Sequence, residues 1–123
     1  MSDWYAAATF YRGRITADPA FDVLGDMFAN RRAWNLLGNR PNSWPELMKI
    51  IRHVFGIPID EAQRLILSHA GFRKLVQTAI DTNPDCAEYA RRGIRRGSMQ
   101  EIVELQGDRP VISLTWRSAA LRI

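Results

Sequence analysis

The middle of the chain, from residue 43 to residue 92, is a series of helical hydrophobic patterns separated by residues that end helices. Ser43 and Glu46 have the spacing of a capping box, in which each side chain satisfies a free backbone N–H of the first helical turn. The apolar residues that follow have the spacing of one buried helix face: Leu47, Ile50, Ile51, Val54 and Phe55. The first helix of the series is therefore predicted from residue 43 to Gly56.

Further helical patterns extend the series on both sides of this helix. Residues 60–70 and 72–80 repeat the apolar spacing. Asn83-Pro84 is typical of a cap followed by proline at the first helical position, and Gly93 is expected to end that short helix. Asp18-Pro19 predicts a helix start of the same type nearer the N-terminus. A chain with this many one-sided helices must pack them against one another, which constrains its fold more than any other feature.

The two ends of the chain differ from this helical middle. Residues 99–105 and 111–116 are short apolar segments with β-branched residues, and residues 106–110 are typical of a hairpin loop. A lone hairpin is marginally stable in water and needs another strand or a helical layer. The propensities of segment 4–11 are divided between strand and helix. We expect the residues around Phe10 to supply the third strand.

The predicted fold is a single α+β domain over residues 1–123. It is helix-rich, with four to five helices and a small antiparallel sheet formed by the N-terminal strand and the C-terminal hairpin. No apolar run approaches the roughly 18–20 residues that cross a bilayer, and the N-terminus lacks the charge pattern of a signal peptide. Cys86 is the single cysteine and cannot form an internal disulfide. We therefore expect a cytoplasmic protein without a membrane partner.

Arginine dominates the positive charge. The net charge is +4, and 15 of the 17 basic residues are arginine. The planar guanidinium fork suits bidentate recognition of phosphate and carboxylate. A genome with GC-rich codons produces the same bias, so the charge favours an acidic or nucleic-acid partner without establishing one.

Four of the arginines fall within six residues, at Arg91, Arg92, Arg95 and Arg96. They could clamp phosphates, and Tyr89 is close enough in sequence to offer an aromatic ring for stacking. The alternative is a solvated segment whose cations stabilise the negative end of the preceding helix. Both interpretations stay open.

Other polar residues give weaker indications. Residues 57–80 permit a helix-turn-helix in which Arg73, Lys74 and Gln77 would read bases. The two histidines lack the spacing of metal ligands, so no metal site is predicted. We interpret His69 as a buried residue with one hydrogen-bond partner.

Glu101 and Glu104 are the carboxylates of the predicted hairpin. Strand alternation places Glu101 on the face of Met99 and Val103, and Glu104 on the face of Ile102. A charge among apolar neighbours is costly unless it is paired or solvated. We therefore expect either an edge strand with one exposed face or a catalytic carboxylate in a cleft.

The order of several short motifs resembles that of ADP-ribosyltransferase folds. Thr9-Phe-Tyr-Arg-Gly13 is similar to their first strand, which carries an aromatic residue, then Arg or His, then Gly. Residues 24–30 and Ala33 resemble the next block, residues 87–97 resemble the passage from a helix to a strand, and residues 110–123 resemble the closing strand and tail. Small phage-encoded members of this superfamily, including anti-CRISPR enzymes, are comparably compact.

The resemblance implies a site for NAD. Arg12, with Tyr11 and Gly13 beside it, would bind NAD through phosphate or ribose contacts. Glu101 or Glu104 would stabilise the positive charge that develops on the ribose as nicotinamide leaves. This arrangement requires the N-terminal strand to pair with the hairpin.

Three functions follow from these observations as hypotheses. The first is an ADP-ribosyltransferase-like effector, of phage or mobile-element type, that uses NAD to modify a host protein or nucleoprotein target. The second is a non-catalytic inhibitor or adaptor that docks on a partner protein, since the chain has four tryptophans and many arginines, which are enriched in binding hot spots. The third is nucleic-acid binding through the arginines at 91–96.

Overall fold

The helices predicted between residues 43 and 92 are present in the computed structural model, which describes residues 4–38, 43–96 and 103–112. Within these residues the chain forms six helices and one antiparallel hairpin, so the predicted count of four to five helices is too low. The elements in chain order are α1 (Trp4–Ala17), α2 (Val23–Ala29), α3 (Ser43–Phe55), α4 (Ile59–Ser68), α5 (Ala70–Thr82), α6 (Pro84–Arg95), β1 (Val103–Gln106) and β2 (Arg109–Ile112).

The first helix shows that the predicted N-terminal strand is wrong. Ala7, Ala8 and Tyr11 are fully buried on one face of α1, which packs on α3. In a strand, Ala7 and Ala8 would point to opposite faces, so only a helix buries this set together. The sheet therefore has two strands in the described residues, without the predicted third.

Hydrogen bonds from one buried tyrosine join α1 to the segment that follows it. The Tyr11 hydroxyl donates to Asp26 Oδ2 at 2.8 Å and accepts from Trp34 Nε1 at 3.0 Å. Helix α2 begins later than Asp18-Pro19 predicted, because Asp22 is its N-cap and accepts from the Gly25 N–H at 3.0 Å.

Helix α3 lies at the centre of the core and packs on α1, α4 and α5. Its predicted apolar stripe is confirmed at Leu47, Ile50, Ile51 and Val54, which are all buried, whereas Phe55 at the end of the helix is 39% exposed. The largest fully buried side chain of the described residues is Trp44, in the first turn of α3.

Helices α3 to α6 follow one another through very short connections. Gly56 ends α3 with a φ of 64°, a backbone conformation that favours glycine. His69 is the single residue between α4 and α5, and its Nδ1 accepts from the Phe72 N–H at 3.2 Å. Asn83 caps α6 by accepting from the Asp85 N–H at 2.9 Å, which confirms the predicted start of that helix.

The predicted hairpin is confirmed for its described part. β1 and β2 pair antiparallel with Val103 opposite Ile112, and Gly107 makes the turn with a φ of 66°. The hairpin packs on α5 and α6. Gln77 of α5 fixes it there, since its Nε2 donates to the Pro110 carbonyl at 3.1 Å and its Oε1 accepts from the Ile112 N–H at 3.1 Å. The helical layer thus takes the place of the missing strand.

Candidate functional site

One of the three residues of the NAD site implied by the resemblance, Tyr11, is buried in the core. Tyr11 is 0% exposed, and its hydroxyl both donates a hydrogen bond to Asp26 and accepts one from Trp34 within the fold. Arg12 and Gly13 are exposed on α1, where a Cβ added to Gly13 would meet nothing within 4 Å. They border an open groove of about 510 Å³, whose other lining residues are Tyr5, Thr9, Thr16, Ala17 and His53.

Of the two predicted catalytic carboxylates the structure describes Glu104, and it does not bring Arg12 together with it. Glu104 is exposed on β1, as are Leu105 and Gln106, while Val103 is buried, so the predicted alternation of a buried and a solvent face holds only at the start of the strand. Glu101 lies outside the described residues. Arg12 belongs to a helix that packs on α3, whereas Glu104 belongs to the hairpin on α5 and α6, and the groove beside Arg12 does not include Glu104. The strand pairing that would have joined them is wrong.

The arginines Arg91, Arg92, Arg95 and Arg96, here called the arginine cluster, lie on a continuous helix. Gly93 was expected to end this helix, but it is buried inside α6, which runs to Arg95 with Arg96 as its C-cap residue. The helix therefore fixes the spacing of the cluster. Arg91 and Arg95 form one row and Arg92 and Arg96 a second row, each with a rise of about 6 Å between its members.

One carboxylate of α6 is shared by three arginines of the cluster. Glu88 accepts from Arg95 Nη2 at 2.8 Å and from Arg91 Nε at 3.1 Å, and Arg92 Nε lies 3.5 Å from it. The bonds from Arg95 and then Arg91 lower the pKa of Glu88, so it stays charged. Arg91 also donates to the Asp108 carbonyl of the hairpin turn at 3.1 Å. The side chains of Arg92 and Arg95 are nevertheless 63% and 61% exposed, so a dissolved anion can reach them.

Beside the second row of the cluster is a cavity of about 400 Å³ between α4 and α6, here called the α4–α6 cavity. Its size lies in the range of small-molecule sites, about 300–1,000 Å³. One helix face from each side forms its walls. The described lining residues are Ile59, Asp60 and Gln63 from α4, and Tyr89, Arg92, Gly93 and Arg96 from α6 and its C-cap.

A buried amide with an unused donor lines the α4–α6 cavity. Gln63 is 1% exposed, and its Oε1 accepts from Trp44 Nε1 at 3.0 Å. An indole nitrogen only donates, so this bond fixes which end of the amide is the oxygen. The Gln63 Nε2 then has no hydrogen-bond partner in the described part of the chain. An unpaired buried donor costs about 1–3 kcal/mol, and a ligand acceptor that reached it from the cavity would remove that cost.

Tyr89 adds an aromatic residue to the α6 wall of the cavity. Tyr89 packs edge-to-face on Trp44, with 4.9 Å between the ring centroids and an interplanar angle of 82°. Burial raises the pKa of Tyr89, and the positive charge of Arg52 opposes that shift. The Tyr89 hydroxyl is therefore neutral at physiological pH and can donate or accept. The cavity thus combines an aromatic ring, polar groups and two guanidinium groups.

Two of the three base readers proposed for a helix-turn-helix have structural roles. Arg73 Nη1 donates to the Leu67 and Ser68 carbonyls at 2.8 and 3.2 Å, which satisfies the C-terminal end of α4. Gln77 holds the hairpin. Lys74 is exposed and stays accessible. The basic surface of the described chain is therefore better formed on α6 than on α5.

The remaining candidate residues of the sequence are structural. His69 is half-buried rather than buried as interpreted from the sequence, its Nδ1 accepts from the Phe72 N–H as its one predicted type of partner, and burial lowers its pKa. Cys86 is buried, and burial raises the pKa of its thiol. Within the described residues, no group of His, Cys, Asp and Glu is arranged to hold a metal ion. None of the helices described above has both the length and the apolar composition that spanning a membrane requires.

Sequence reasoning identified the arginine cluster but missed the cavity beside it. Gln63 occupies a helical position that looks like an ordinary polar neighbour of the apolar stripe of α4, and its burial depends on Trp44 of another helix. The spacing of Tyr89, Arg92 and Arg96, at i, i+3 and i+7, was the one available signal that these three share a face.

Comparisons with protein-family models, with curated proteins and with solved structures find no match to this chain. The ADP-ribosyltransferase resemblance therefore stays a prediction from short motifs.

Proposed function

We propose that this protein binds nucleic acid through the arginine cluster of α6. The observation that carries the proposal is the sharing of one carboxylate, Glu88, by three of four arginines on one short helical segment. Arg96 forms no ion pair with a carboxylate of the described residues. Such an excess of exposed positive charge attracts polyanions.

The chemistry of the cluster suits phosphate in particular. Guanidinium groups bind phosphate oxygens bidentately and are weakly hydrated compared with ammonium groups. The helix gives the cluster a fixed geometry because Glu88 and the Asp108 carbonyl hold Arg91, and Glu88 also holds Arg95. Arg92 and Arg96 lie one helical turn apart on the side of the α4–α6 cavity. A strand of phosphates could therefore follow Arg92 and Arg96, with a phosphate taking the place of the 3.5 Å contact between Arg92 and Glu88.

The two other hypotheses have less support from the described residues. The exposed large apolar side chains are distributed over α1, α3, α4 and β1, which does not favour one protein-docking face. The NAD hypothesis depended on a strand that is a helix. It retains its own test, because NAD at millimolar concentration should raise the melting temperature of the protein, and Arg12→Ala should abolish that rise.

The proposed function is tested by fluorescence anisotropy with a labelled single-stranded oligonucleotide over a range of salt concentrations. We expect the logarithm of the binding constant to fall linearly with the logarithm of the salt concentration. The double variant Arg92→Gln/Arg96→Gln should bind more weakly and should reduce the slope by about 1.4, since each phosphate contact on a single strand contributes about 0.7.

The matched control is Arg12→Gln/Arg32→Gln, which removes the same charge from two exposed arginines outside the cluster. It should leave the slope nearly unchanged. Equal losses in both double variants would mean that only net charge matters, and binding that ignores salt, or no binding at all, would refute the proposal.

A further inference from the structure

We infer that the α4–α6 cavity receives one unstacked nucleobase from a single strand whose phosphates lie along Arg92 and Arg96. This inference rests on the proposed function and specifies its substrate class. A duplex keeps its bases stacked and paired, so a protein that holds one base in a cavity selects single-stranded nucleic acid.

The two walls of the cavity differ in charge, which orients such a ligand. The α6 wall carries the guanidinium groups of Arg92 and Arg96, where phosphate is favoured. The α4 wall offers the apolar Ile59 and the acidic Asp60, where phosphate is disfavoured. A nucleotide has the same asymmetry, with an anionic end and a flat, largely apolar base. The base therefore belongs at α4 and the phosphate at α6.

The polar groups of the cavity match the edge of a base. Gln63 Nε2 is a buried donor without a partner in the described residues, and the orientation of its amide is fixed by Trp44. Every nucleobase carries a carbonyl oxygen or ring nitrogen that can accept from it. Asp60 can accept from the N–H groups of the same base. The cavity thus presents one donor and one acceptor from a single helix.

Aromatic packing supplies the remaining contact. Tyr89 lines the cavity, and its edge-to-face contact with Trp44 holds the ring in place. Ile59, which is 44% exposed at the rim, offers an apolar surface to the base. Stacking on an aromatic side chain tolerates any base, so we expect weak sequence preference.

The decisive comparison uses the wild-type protein and two single strands of about 12 nucleotides, which is within the length that one single-strand-binding domain covers. One strand is normal and the other has the same phosphates with abasic sugars. We expect the normal strand to bind about tenfold more tightly, which is the effect of stacking one base. The matching duplex should bind no better than the abasic strand.

A variant places the effect in the cavity. Gln63→Glu keeps the acceptor for Trp44, and at a pH high enough to ionise the buried carboxyl it removes the unpaired donor, so binding of the normal strand there should fall to the level of the abasic strand. Gln106→Glu adds the same charge to the exposed hairpin and should keep the preference for the normal strand. Thermal unfolding of both variants shows whether they fold, and the wild-type comparison decides the question if Gln63→Glu does not.

The possible results separate this inference from the proposed function. Equal binding of the normal and abasic strands would overturn the base site and leave binding by the arginine cluster intact. Failure to bind any strand would overturn both. If a free mononucleotide binds as tightly as the normal strand, the rest of the strand adds no affinity. The inference that the cavity receives a base from a strand would then be overturned, and a free nucleotide would be the ligand of the cavity.

Discussion

Replacing Tyr11 by phenylalanine removes one hydroxyl from the junction of α1, α2 and the segment after α2. That hydroxyl donates to Asp26 Oδ2 at 2.8 Å and accepts from Trp34 Nε1 at 3.0 Å. The tyrosine is 0% exposed, so phenylalanine fills the same space with almost no change in packing. The variant therefore isolates the hydrogen bonds from the hydrophobic contacts.

The magnitude follows from the partners. A hydrogen bond to a charged group contributes about 1.5–3 kcal/mol, and the indole N–H loses its acceptor as well. Asp26 and Trp34 are only partly buried, so water can replace part of the loss. We expect Tyr11→Phe to lower the free energy of unfolding by about 1.5–2 kcal/mol. For a domain of this size the melting temperature should fall by roughly 5–10 °C.

The assay is thermal and urea unfolding followed by circular dichroism. The matched control is Tyr5→Phe, because the Tyr5 ring is 59% exposed on the same helix, and its effect should stay within about 0.5 kcal/mol. If the two variants are equally stable, the argument that the Tyr11 hydroxyl joins these segments is refuted.

A pH series adds an independent measurement. Burial, and then the hydrogen bond to Asp26, raise the pKa of Tyr11 far above its usual value of about 10. Above about pH 10 the unfolded chain loses this proton and the folded chain keeps it, so stability falls as the pH rises. Tyr11→Phe should remove part of that alkaline decline. The part due to Tyr89, whose pKa burial also raises, should persist.

Two further predictions concern α1 and the junction of α4 and α5. A Cβ at Gly71 would lie 2.5 Å from the Phe28 ring, so Gly71→Ala should destabilise the protein by about 1–3 kcal/mol. A Cβ at Gly13 would meet nothing within 4 Å, so Gly13→Ala should stabilise the helix by about 0.5–1 kcal/mol. Denaturant midpoints of the two variants that move in the same direction would contradict this prediction. Burial lowers the pKa of His69, so the unfolded state binds a proton first and stability should be lost as the pH falls below about 6.5. His69→Asn keeps an acceptor for the Phe72 N–H. In melting experiments from neutral to mildly acidic pH, this variant should lose less stability than the wild type. An unchanged loss of stability would mean that another group causes the acidic decline.

Local signals were sufficient for the helices and for the hairpin turn. The stripe from Leu47 to Val54 specifies a helix because its period matches one buried face, whatever it packs against. The cap at Asn83 and the turn at Gly107 depend on backbone preferences that operate within a few residues. These elements could be predicted because their causes are short-range.

The N-terminal segment could not be decided in the same way. Its aromatic residues favour a strand and its alanines favour a helix, and the difference between these propensities is small. Packing on α3 decided it, since α3 offers a surface on which Ala7, Ala8 and Tyr11 can be buried together. The hydroxyl of Tyr11 then found its partners in two residues that are 15 and 23 positions away.

The sequence by itself determined that this chain is helix-rich and that it carries four closely spaced arginines before a hairpin, because periodicity and charge are properties of neighbouring residues. Only the tertiary structure decided that α6 continues through the buried Gly93, and that Gln63 bonds Trp44 of α3 and keeps an unused amide donor beside a cavity. Those features arise where separate helices meet. Burial and hydrogen bonding between distant residues set them, and no local pattern of residues specifies which helices will meet.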